Sequence, residues 1–332
     1  MIHNNAIVLA GDIGGTNARF VLFKNGEYQA QTFRAIPVAG YSDLCDVIAE
    51  YRSQIDTNEI DQASFSVATT AEYRDEINLT NVDMRFSISE LRRRFSLRRA
   101  KVVNDFTAAA LGVVCLSDDC LHVLHRGKAD PNGPCAVIGP GTGLGVSGLL
   151  HTGKYWLPLQ GQGGHVSMGA QTSRELDILN EMTRVFGHVS AERYLSGIGI
   201  VYAYQAICAV DQKPVVFENA EQITTAAIDR SCDISTEVMA LFCKYLGVVS
   251  GNLALTLGAT GGIYIAGGIV PKLGDLFVQS DFLSHLHHKG RFSEFVADMP
   301  VSLVTGGEPA LYGAYNSLAS HYDQLGHADA EG

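Results

Sequence analysis

An amide and an imidazole stand three residues apart in "GQGGHVS", the uncharged stretch at positions 161–167. Glycine has no Cβ and permits backbone conformations that other residues avoid, which suggests a loop shaped to present Gln162 and His165. An amide both donates and accepts hydrogen bonds, and an imidazole can do either, so the pair could bind hydroxyl groups. The alternative is a buried glutamine and histidine that satisfy backbone groups.

A second polar pair occurs in "VVNDFTAAA", where Asn104 and Asp105 follow an apolar run of strand length. Proteins with α/β folds usually bind ligands at the carboxyl ends of their strands. Asp105 in that place could accept the proton of an attacking hydroxyl. The alternative is that it caps the helix predicted to follow.

The stretch "GDIGGTNARF" places Asp12 at the end of an apolar strand, followed by Gly14, Gly15, Thr16 and Asn17. Glycines in a turn let backbone N–H groups approach an anion closely. A carboxylate beside such a turn suits a hydrated Mg²⁺ ion, which is held through few carboxylates together with phosphates. An ordinary hairpin turn with an exposed aspartate fits this stretch equally well.

A third glycine-rich stretch, "GPGTGLGVSG", contains the spacing G-x-G-x-x-G. In a dinucleotide-binding fold this motif opens a helix and is followed by an acid about 20 residues later. Here an apolar strand pattern follows, and the next acidic residue is Glu175. The stretch therefore predicts a second anion-binding hairpin, in which Thr142 offers a hydroxyl.

Two further stretches have weaker chemical readings. Gly267 and Gly268 follow an apolar strand, where a flat ring could lie on bare backbone, although a tight strand-to-helix turn is the better interpretation of these residues alone. The stretch "CLSDDCLHVLH" could hold zinc, but its alternation fits a strand better.

The elements around these residues alternate between apolar strands and helical patterns, which indicates an α/β protein. An apolar strand, a glycine-rich turn and a second strand occur at residues 7–23 and again at 135–150, which predicts two related halves facing each other across a cleft. Ser87 and Glu90 form a predicted capping box. Helices are also predicted at "SRELDILNEMTRVFG", "GIVYAYQAICAV", "EVMALFCKYLGVVSGNLALTL" and "GEPALYGAYNSLASHY".

The composition excludes several classes of function. The chain has 332 residues, of which 46% are hydrophobic, and this fits two domains. Its net charge of −11 disfavours nucleic acid and anionic membranes as partners. The seven cysteines lack a C-x-x-C motif and favour a reducing compartment. The start of the chain lacks the features of a signal peptide, and the uncharged run 248–270 fits a buried helix, a turn and a strand. We expect a cytoplasmic protein.

Taken together, "GDIGGTNARF", "VVNDFTAA", "GPGTGLGV", "GQGGHVS", "GHVSAERYLSG" and "GGIYIAGGIVPK" resemble the bacterial-type glucokinase family of the actin, sugar kinase and Hsp70 superfamily. The stretches occur in the family's order and cover nearly the whole chain. The resemblance implies an α/β fold of two RNase H-like (actin-like ATPase) domains with an interdomain cleft. Residues 1–113 and a C-terminal helix at 306–326 would form the small domain, and 114–305 the large one.

The resemblance also implies ATP-dependent phosphorylation of the 6-hydroxyl of glucose to give glucose 6-phosphate for glycolysis, by a homodimer that uses ATP and Mg²⁺. Asp105 would be the catalytic base, and Asp12 would hold the metal through water. The implied sugar-binding residues are Asn104, Asp105, Gln162, His165 and Glu192. The implied nucleotide-binding residues are Gly11, Asp12, Gly14, Gly15, Thr16, Asn17, Gly141, Thr142, Gly143, Gly267 and Gly268.

Three departures from the family pattern fall on the sugar side. Gln162 stands where the family has glutamate, Ala71 and Arg74 replace a usual proline and glycine, and Met84 lies where tryptophan is common. These departures leave an alternative open, in which the protein phosphorylates another sugar or is a weakly active, glucokinase-like sugar sensor.

Overall fold

The computed structural model describes residues 6–55, 59–68, 74–79 and 84–319. Its strands are β1 (Ile7–Ile13), β2 (Asn17–Lys24), β3 (Glu27–Pro37), β4 (Gln62–Val67), β5 (Glu76–Asn78), β6 (Arg85–Ser87), β7 (Arg99–Asn104), β8 (Leu121–His125), β9 (Cys135–Pro140), β10 (Leu144–His151), β11 (Trp156–Leu159), β12 (Gly262–Ile265) and β13 (Val301–Val304).

Its helices are α1 (Leu44–Ser53), α2 (Ile88–Phe95), α3 (Asp105–Val113), α4 (Ser173–Phe186), α5 (Gly197–Val210), α6 (Ala220–Ile228), α7 (Asp233–Leu257), α8 (Val270–Leu273), α9 (Asp275–Val278), α10 (Phe282–His287), α11 (Ser293–Ala297) and α12 (Pro309–Ala319). Short 3₁₀ helices occur at Asp118–Cys120, Gly163–His165, Ala191–Arg193 and Gly290–Phe292.

The described chain forms two compact units. The first contains the residues up to Ser117, the segment His151–Leu159 and the residues from Gly307 onwards. The second contains Asp118–Leu150 and Gln160–Gly306. The first unit is therefore assembled from three separate parts of the chain, and it includes a nine-residue segment that the sequence alone places with the larger domain.

The first unit is built on a sheet with the strand order β3-β2-β1-β4-β7. Strands β1 and β2 form an antiparallel hairpin, β4 runs parallel to β1, and β7 runs parallel to β4. Gly11 lies inside this sheet opposite Phe20 and Phe65, and a Cβ at Gly11 would come within 2.7 Å of the Phe65 ring. Its lack of a side chain therefore makes room for two core aromatic rings.

The second unit repeats this pattern. Its strands follow the order β10-β9-β12-β13-β8, with β9 and β10 forming an antiparallel hairpin and β12 running parallel to β9. Strand β13 is parallel to β12, and β8 is an antiparallel edge strand. The strand–turn–strand repeat predicted from the sequence is thereby confirmed at both positions.

Helix α7 is the longest helix among the described residues and the one that is long and apolar enough to cross a membrane. The share of its most apolar window that lies buried inside the protein is 67%, as in a core helix. The uncharged run 248–270 becomes the end of α7, a turn and β12, as predicted.

Several local predictions are confirmed. The patterns assigned to helices fold as α4, α5, α7 and α12. Ser87 caps α2, where its hydroxyl accepts from the Glu90 N–H at 3.2 Å. The alternating histidine stretch forms β8, where the ring of His125 lies 2.6 Å from the Ala297 carbonyl oxygen. Across the described ranges there is no group of residues suited to binding a metal through three or more His, Cys, Asp or Glu side chains.

Helices α3 and α12 cross at two glycines. A Cβ at Gly112 would lie 1.8 Å from the Pro309 carbonyl oxygen, and a Cβ at Gly313 would lie 1.6 Å from that of Ala108. The two backbones can approach this closely only because both positions lack side chains. The last helix thus supports the helix that begins at Asp105.

Candidate active site

Asn104 and Asp105 lie at the junction of β7 and α3, where the sequence predicted a strand to end and a helix to begin. The Asn104 Oδ1 accepts hydrogen bonds from the N–H groups of Phe106 and Thr107, both at 3.1 Å. The helix cap is therefore Asn104. The alternative in which Asp105 caps the helix is wrong; the Asp105 carboxylate accepts from the Phe106 N–H at 2.8 Å.

The Asp105 side chain reaches solvent, but its carboxylate is partly desolvated by the protein around it. This desolvation raises the pKa of Asp105 above its ordinary value and outweighs the hydrogen bond from Phe106. The negative charge of Asp12 raises it further. A carboxylate with a raised pKa is a better proton acceptor near neutral pH than an ordinary one.

Asp12 lies near the end of β1, directly opposite Arg19 on β2 and Ser66 on β4. Opposed residues on neighbouring strands share one face of the sheet, so these three side chains meet. The Ser66 hydroxyl donates to Asp12 Oδ1 at 3.0 Å, and Arg19 Nη1 lies 3.3 Å from Oδ2. Burial nevertheless raises the pKa of Asp12 more than these two partners lower it.

Glu308 adds a third acid that sequence reasoning missed. It immediately precedes α12, and burial raises its pKa, with a further increase from Asp12 and an opposing effect of Arg19. The electrostatic effects show that Glu308 belongs to the surroundings of Asp12 in the first unit. Its only sequence signal is its place in "GEPALYG", just before a predicted helix.

The turn between β1 and β2 is a closed hairpin with an exposed tip. The Gly14 N–H donates to the Asn17 carbonyl at 3.0 Å, and Gly15 and Thr16 are exposed. The Thr16 carbonyl accepts from the Val38 N–H at 3.0 Å, which ties the tip to the end of β3. The backbone is that of an ordinary hairpin turn, and its exposed tip leaves room for an anion.

The turn between β9 and β10, at Gly141–Gly143, is also closed by a backbone hydrogen bond. The Gly141 N–H donates to the Gly143 carbonyl at 2.8 Å, and Thr142 is exposed at the tip. The Gly141 carbonyl accepts from the Gly197 N–H at 2.9 Å, at the start of α5. The rejection of a dinucleotide-binding motif is confirmed, because β10 follows this turn.

Gln162 precedes the short helix Gly163–His165 and His165 is its last residue, and both side chains are exposed. The alternative in which they are buried is therefore wrong. The glycines between them face strand β10: a Cβ at Gly164 would lie 2.2 Å from the Leu144 carbonyl oxygen. A Cβ at Gly163 would lie 2.6 Å from Val146 Cγ1. The glycines allow the loop to lie directly on the strand while Gln162 and His165 face solvent.

Glu192 is half-buried in the short helix Ala191–Arg193. One of its carboxylate oxygens, Oε2, accepts from the Leu144 N–H at 2.9 Å. The Ala191 N–H donates to the Val166 carbonyl, also at 2.9 Å, so that the segment of Glu192 is joined to the loop that follows His165. The second unit therefore brings together the loops of Gln162, His165 and Glu192, the three predicted sugar-binding residues that it contains.

The turn after β12 contains Gly267 and Gly268. Gly267 has a φ of +83°, and a Cβ there would lie 2.4 Å from the Pro140 carbonyl oxygen. Gly268 is exposed and has no atom within 4 Å of its ideal Cβ position. Gly267 is thus required by the turn itself, and Gly268 offers open backbone.

The departures from the family pattern occupy different environments. Met84 is 1% exposed and belongs to the core of the first unit. Arg74 is exposed, and Ala71 lies outside the described residues.

Within each unit the structure places the predicted residues as follows. The first unit holds Asn104 and Asp105 at one strand end, and Gly11, Asp12, Gly14, Gly15, Thr16 and Asn17 at another. The second unit holds Gly141, Thr142, Gly143, Gln162, His165, Glu192, Gly267 and Gly268.

Comparison with known protein families gives one match over most of the chain. The model of the family described as Glucokinase matches residues 9–321. Curated relatives include a glucokinase from Aromatoleum aromaticum, 42% identical, with 93% of this chain and 94% of the relative covered. A glucokinase from Photorhabdus laumondii subsp. laumondii is 41% identical over 93% of this chain and 96% of its own length.

Solved structures agree with these relatives. A glucokinase from an Antarctic psychrotroph superposes with a TM-score of 0.85 at 34% identity and covers 94% of this chain and 98% of its own. A hexokinase of the ROK group from Thermus thermophilus has a TM-score of 0.68 at 15% identity, covering 97% of this chain and 100% of its own, and shows likeness of fold alone. The architecture is the actin-like ATPase fold expected from the sequence.

Proposed function

The chain belongs to the glucokinase family and phosphorylates glucose with ATP, and we propose that Asp105 is the general base of this reaction. Curated glucokinases match almost the whole chain at about 40% identity, so the alternative of another sugar or a weakly active sensor is not favoured.

In this proposal Asp105 accepts the proton of the glucose 6-hydroxyl while that oxygen attacks the γ-phosphorus of ATP. The new O–P bond forms as the bond to the ADP oxygen breaks, the proton passes to the carboxylate, and ADP leaves. The single observation that carries the assignment is the position of Asp105 at the end of β7, with a pKa raised by desolvation and by Asp12. Asn104 fixes this position, because its Oδ1 holds the first turn of α3.

Sugar recognition is proposed for Asn104, Gln162, His165 and Glu192. The last three lie in loops that the second unit joins by backbone hydrogen bonds, and Gln162 and His165 present their polar groups to solvent. Glu192 Oε2 accepts a hydrogen bond from the Leu144 N–H, so we propose that Oε1 is the oxygen that binds a sugar hydroxyl. Amide, imidazole and carboxylate together offer both donors and acceptors to the hydroxyls.

Phosphate binding is proposed for the two glycine turns. Both tips are exposed, and backbone N–H groups in such turns attract anions irrespective of net charge. Gly14, Gly15, Thr16 and Asn17 would hold phosphate in the first unit. In the second, Gly141, Thr142 and Gly143 would hold phosphate, and Gly267-Gly268 would lie near the adenosine.

A Mg²⁺ ion is proposed at Asp12. The residues fit a hydrated ion, because the half-buried Asp12 carboxylate stands beside an exposed, hydroxyl-bearing turn. When bound with the nucleotide, the ion supplies charge neutralisation at the phosphates. Asp12 would orient its water ligands, and Arg19 and Ser66 would hold Asp12 in place.

The cellular setting is also a proposal. We place the enzyme in the cytoplasm as a homodimer, without nucleic-acid or membrane partners. A net charge of −11 and seven cysteines that are all free support this setting.

The experiment that tests the function is a coupled assay of ADP formation with a panel of hexoses and N-acetylated amino sugars. Glucose is expected to give the highest kcat/KM of the panel. A higher kcat/KM for another sugar, or ATP turnover that no sugar accelerates, would contradict the proposal.

A further inference from the structure

The backbone of Leu144 lies against both proposed sugar-binding loops, that of Glu192 and that of Gln162 and His165. Its N–H donates to Glu192 Oε2 at 2.9 Å. Its carbonyl oxygen lies only 2.2 Å from where a Cβ of Gly164 would be. Leu144 follows directly on Gly143, the last residue of the second glycine turn, so the backbone of one residue connects the turn to the loop of Glu192 and to the loop of Gln162 and His165.

Gly143 is constrained by Glu192 as well as by the turn. A Cβ at Gly143 would lie 2.6 Å from Glu192 Oε2, which is closer than a Cβ and an oxygen can approach. The φ of Gly143 is not in the left-handed region, so the turn alone does not require glycine there. The feature that excludes a side chain at this position is the carboxylate.

The segment of Glu192 has little freedom to move away. The Ser196 hydroxyl donates to the Glu192 carbonyl at 2.8 Å and accepts from the Gly199 N–H at 3.0 Å. The Gly197 N–H donates to the Gly141 carbonyl at 2.9 Å, which fixes the same segment to the other end of the turn. The backbone of Glu192 is thus held at several points, and only the end of its side chain can adjust.

We infer that Gly143 and the Leu144 N–H are positioning groups for sugar recognition: they orient the Glu192 carboxylate so that Oε1 faces the sugar. This inference rests on the proposed function, in which Glu192 binds glucose. It assigns to a residue of the phosphate-binding turn a second role in binding the other substrate.

Gly143→Ala tests the role without disrupting the fold, because the atom that the new methyl group meets is the end of a flexible side chain. The methyl group displaces the carboxylate from the Leu144 N–H. Glucose binding, measured by calorimetry without nucleotide, is expected to weaken roughly tenfold, as for a lost hydrogen bond to a charged group. Gly169→Ala is the matched control, since no atom lies within 4 Å of that Cβ and its φ is not positive; it is expected to bind glucose as the wild type does.

The double variant Gly143→Ala with Glu192→Gln distinguishes an effect on the Glu192 carboxylate from a general disturbance of the fold. Gly143→Ala is expected to add little to the loss caused by Glu192→Gln, because both changes act on the same carboxylate. Glucose binding that is unchanged in Gly143→Ala, or losses that multiply in the double variant, would overturn the inference. A purely phosphate-binding Gly143 would weaken MgADP binding and leave glucose binding unchanged, which also overturns it.

The failure of the proposed function has a different signature. If Glu192→Gln binds glucose as tightly as the wild type, Glu192 is not a sugar ligand, and the proposed site and the inference both fall. If Glu192→Gln weakens binding and Gly143→Ala does not, the proposed site stands and only the inference fails.

Discussion

At Gln162 the chain carries a neutral amide where the sequence resemblance leads us to expect a carboxylate, and the side chain is exposed in the proposed sugar loop. A carboxylate makes hydrogen bonds to hydroxyls that are about twice as strong as those of a neutral group. We therefore expect Gln162→Glu to tighten glucose binding by about 1–2 kcal/mol, roughly 5–30-fold in Kd or KM.

The control for this prediction is Gln160→Glu, which adds the same charge two residues away at another exposed position. It is expected to leave the KM for glucose nearly unchanged. If Gln162→Glu weakens glucose binding, the amide binds glucose better than a carboxylate does at this position, and the explanation by lost charge is wrong.

Asp105→Asn removes the proposed base while keeping the shape of the side chain. Positioned proton transfer contributes about 10²–10⁴-fold, so kcat is expected to fall by at least about 10². The pKa of Asp105 is raised in the folded protein, so its charge opposes folding at neutral pH, and the variant should unfold at the same or a higher temperature.

The pH dependence follows from the same shift. In the wild type, kcat should fall as the pH drops through the raised pKa of Asp105, because a protonated carboxyl cannot accept the proton. Asp118→Asn, at an exposed position, serves as the control. Near-normal kcat in Asp105→Asn would remove Asp105 from the mechanism.

Asp12→Ala is expected to weaken MgADP binding and to raise the Mg²⁺ concentration needed for half-maximal activity, with much less effect on glucose binding. The physical reason is the loss of the carboxylate at the end of β1, beside the first glycine turn. Asp61→Ala, which removes a carboxylate from an exposed pair with Arg98, is the control and should change neither quantity. Equal Mg²⁺ dependence in wild type and Asp12→Ala would contradict the metal assignment.

At the scale of elements, the crossing of α3 and α12 determines where the proposed base stands. Alanine usually stabilises a helix by about 1 kcal/mol relative to glycine. At Gly313 the opposite is expected, because the new methyl group would meet the Ala108 carbonyl. Gly313→Ala should lower the free energy of unfolding, typically by 1–3 kcal/mol as for overpacking, and should lower kcat by moving α3.

Gly169→Ala again provides the comparison, since its methyl group would meet no atom within 4 Å. Chemical denaturation of the two variants checks the difference. Unchanged stability and kcat in Gly313→Ala would mean that the two helices separate without cost, and that α12 does not hold α3 in place.

The two hairpins and the strand–helix junction at Asp105 could be predicted from the sequence because their signals are local. Apolar runs of strand length flank glycine-rich turns, and Asn104 stands where an apolar strand gives way to a helical pattern. A capping side chain acts within three residues of the helix that it caps. Local patterns of this kind need no knowledge of the rest of the chain.

The contacts that complete the site could not be predicted in this way. Leu144 and Glu192 are 48 residues apart, and Asp12 and Ser66 are 54 apart, so no spacing rule connects them. The glycines of the sugar loop were expected to shape the backbone, whereas the structure shows that they allow close approach to β10. Glu308 was missed because its partners come from the opposite end of the sequence.

At the scale of the whole molecule, the seven cysteines provide a test of both units at once. All seven are free; Cys45, Cys135, Cys208 and Cys243 are buried, Cys115 is exposed, and Cys120 and Cys232 lie between. Burial raises the pKa of Cys45 and of Cys135 to about 12, so very little of either thiol is present as the reactive thiolate near neutral pH.

We expect a thiol reagent to modify Cys115, Cys120 and Cys232 in the native protein, and the four buried cysteines only after unfolding. Counting the modified groups by mass spectrometry, with and without denaturant, checks this. Cys115→Ser is the control and should remove one modified group from the native count. Rapid modification of Cys45 or Cys243 in the native state would contradict the packing of the first or the second unit, respectively.

The first unit is closed by α12, a helix that follows the whole of the second unit in the sequence. One face of its sheet, with Val8, Val21 and Phe23, is covered by Leu311, Ala314 and Leu318 of α12. On the ribosome this face is made before the second unit, and α12 cannot cover it until the second unit has been synthesised. The second unit is complete in the nascent chain before α12 is, since it ends at Gly306. We therefore expect the apolar face of the first unit's sheet to be uncovered while the second unit is synthesised, and to be the surface that a chaperone shields during that interval.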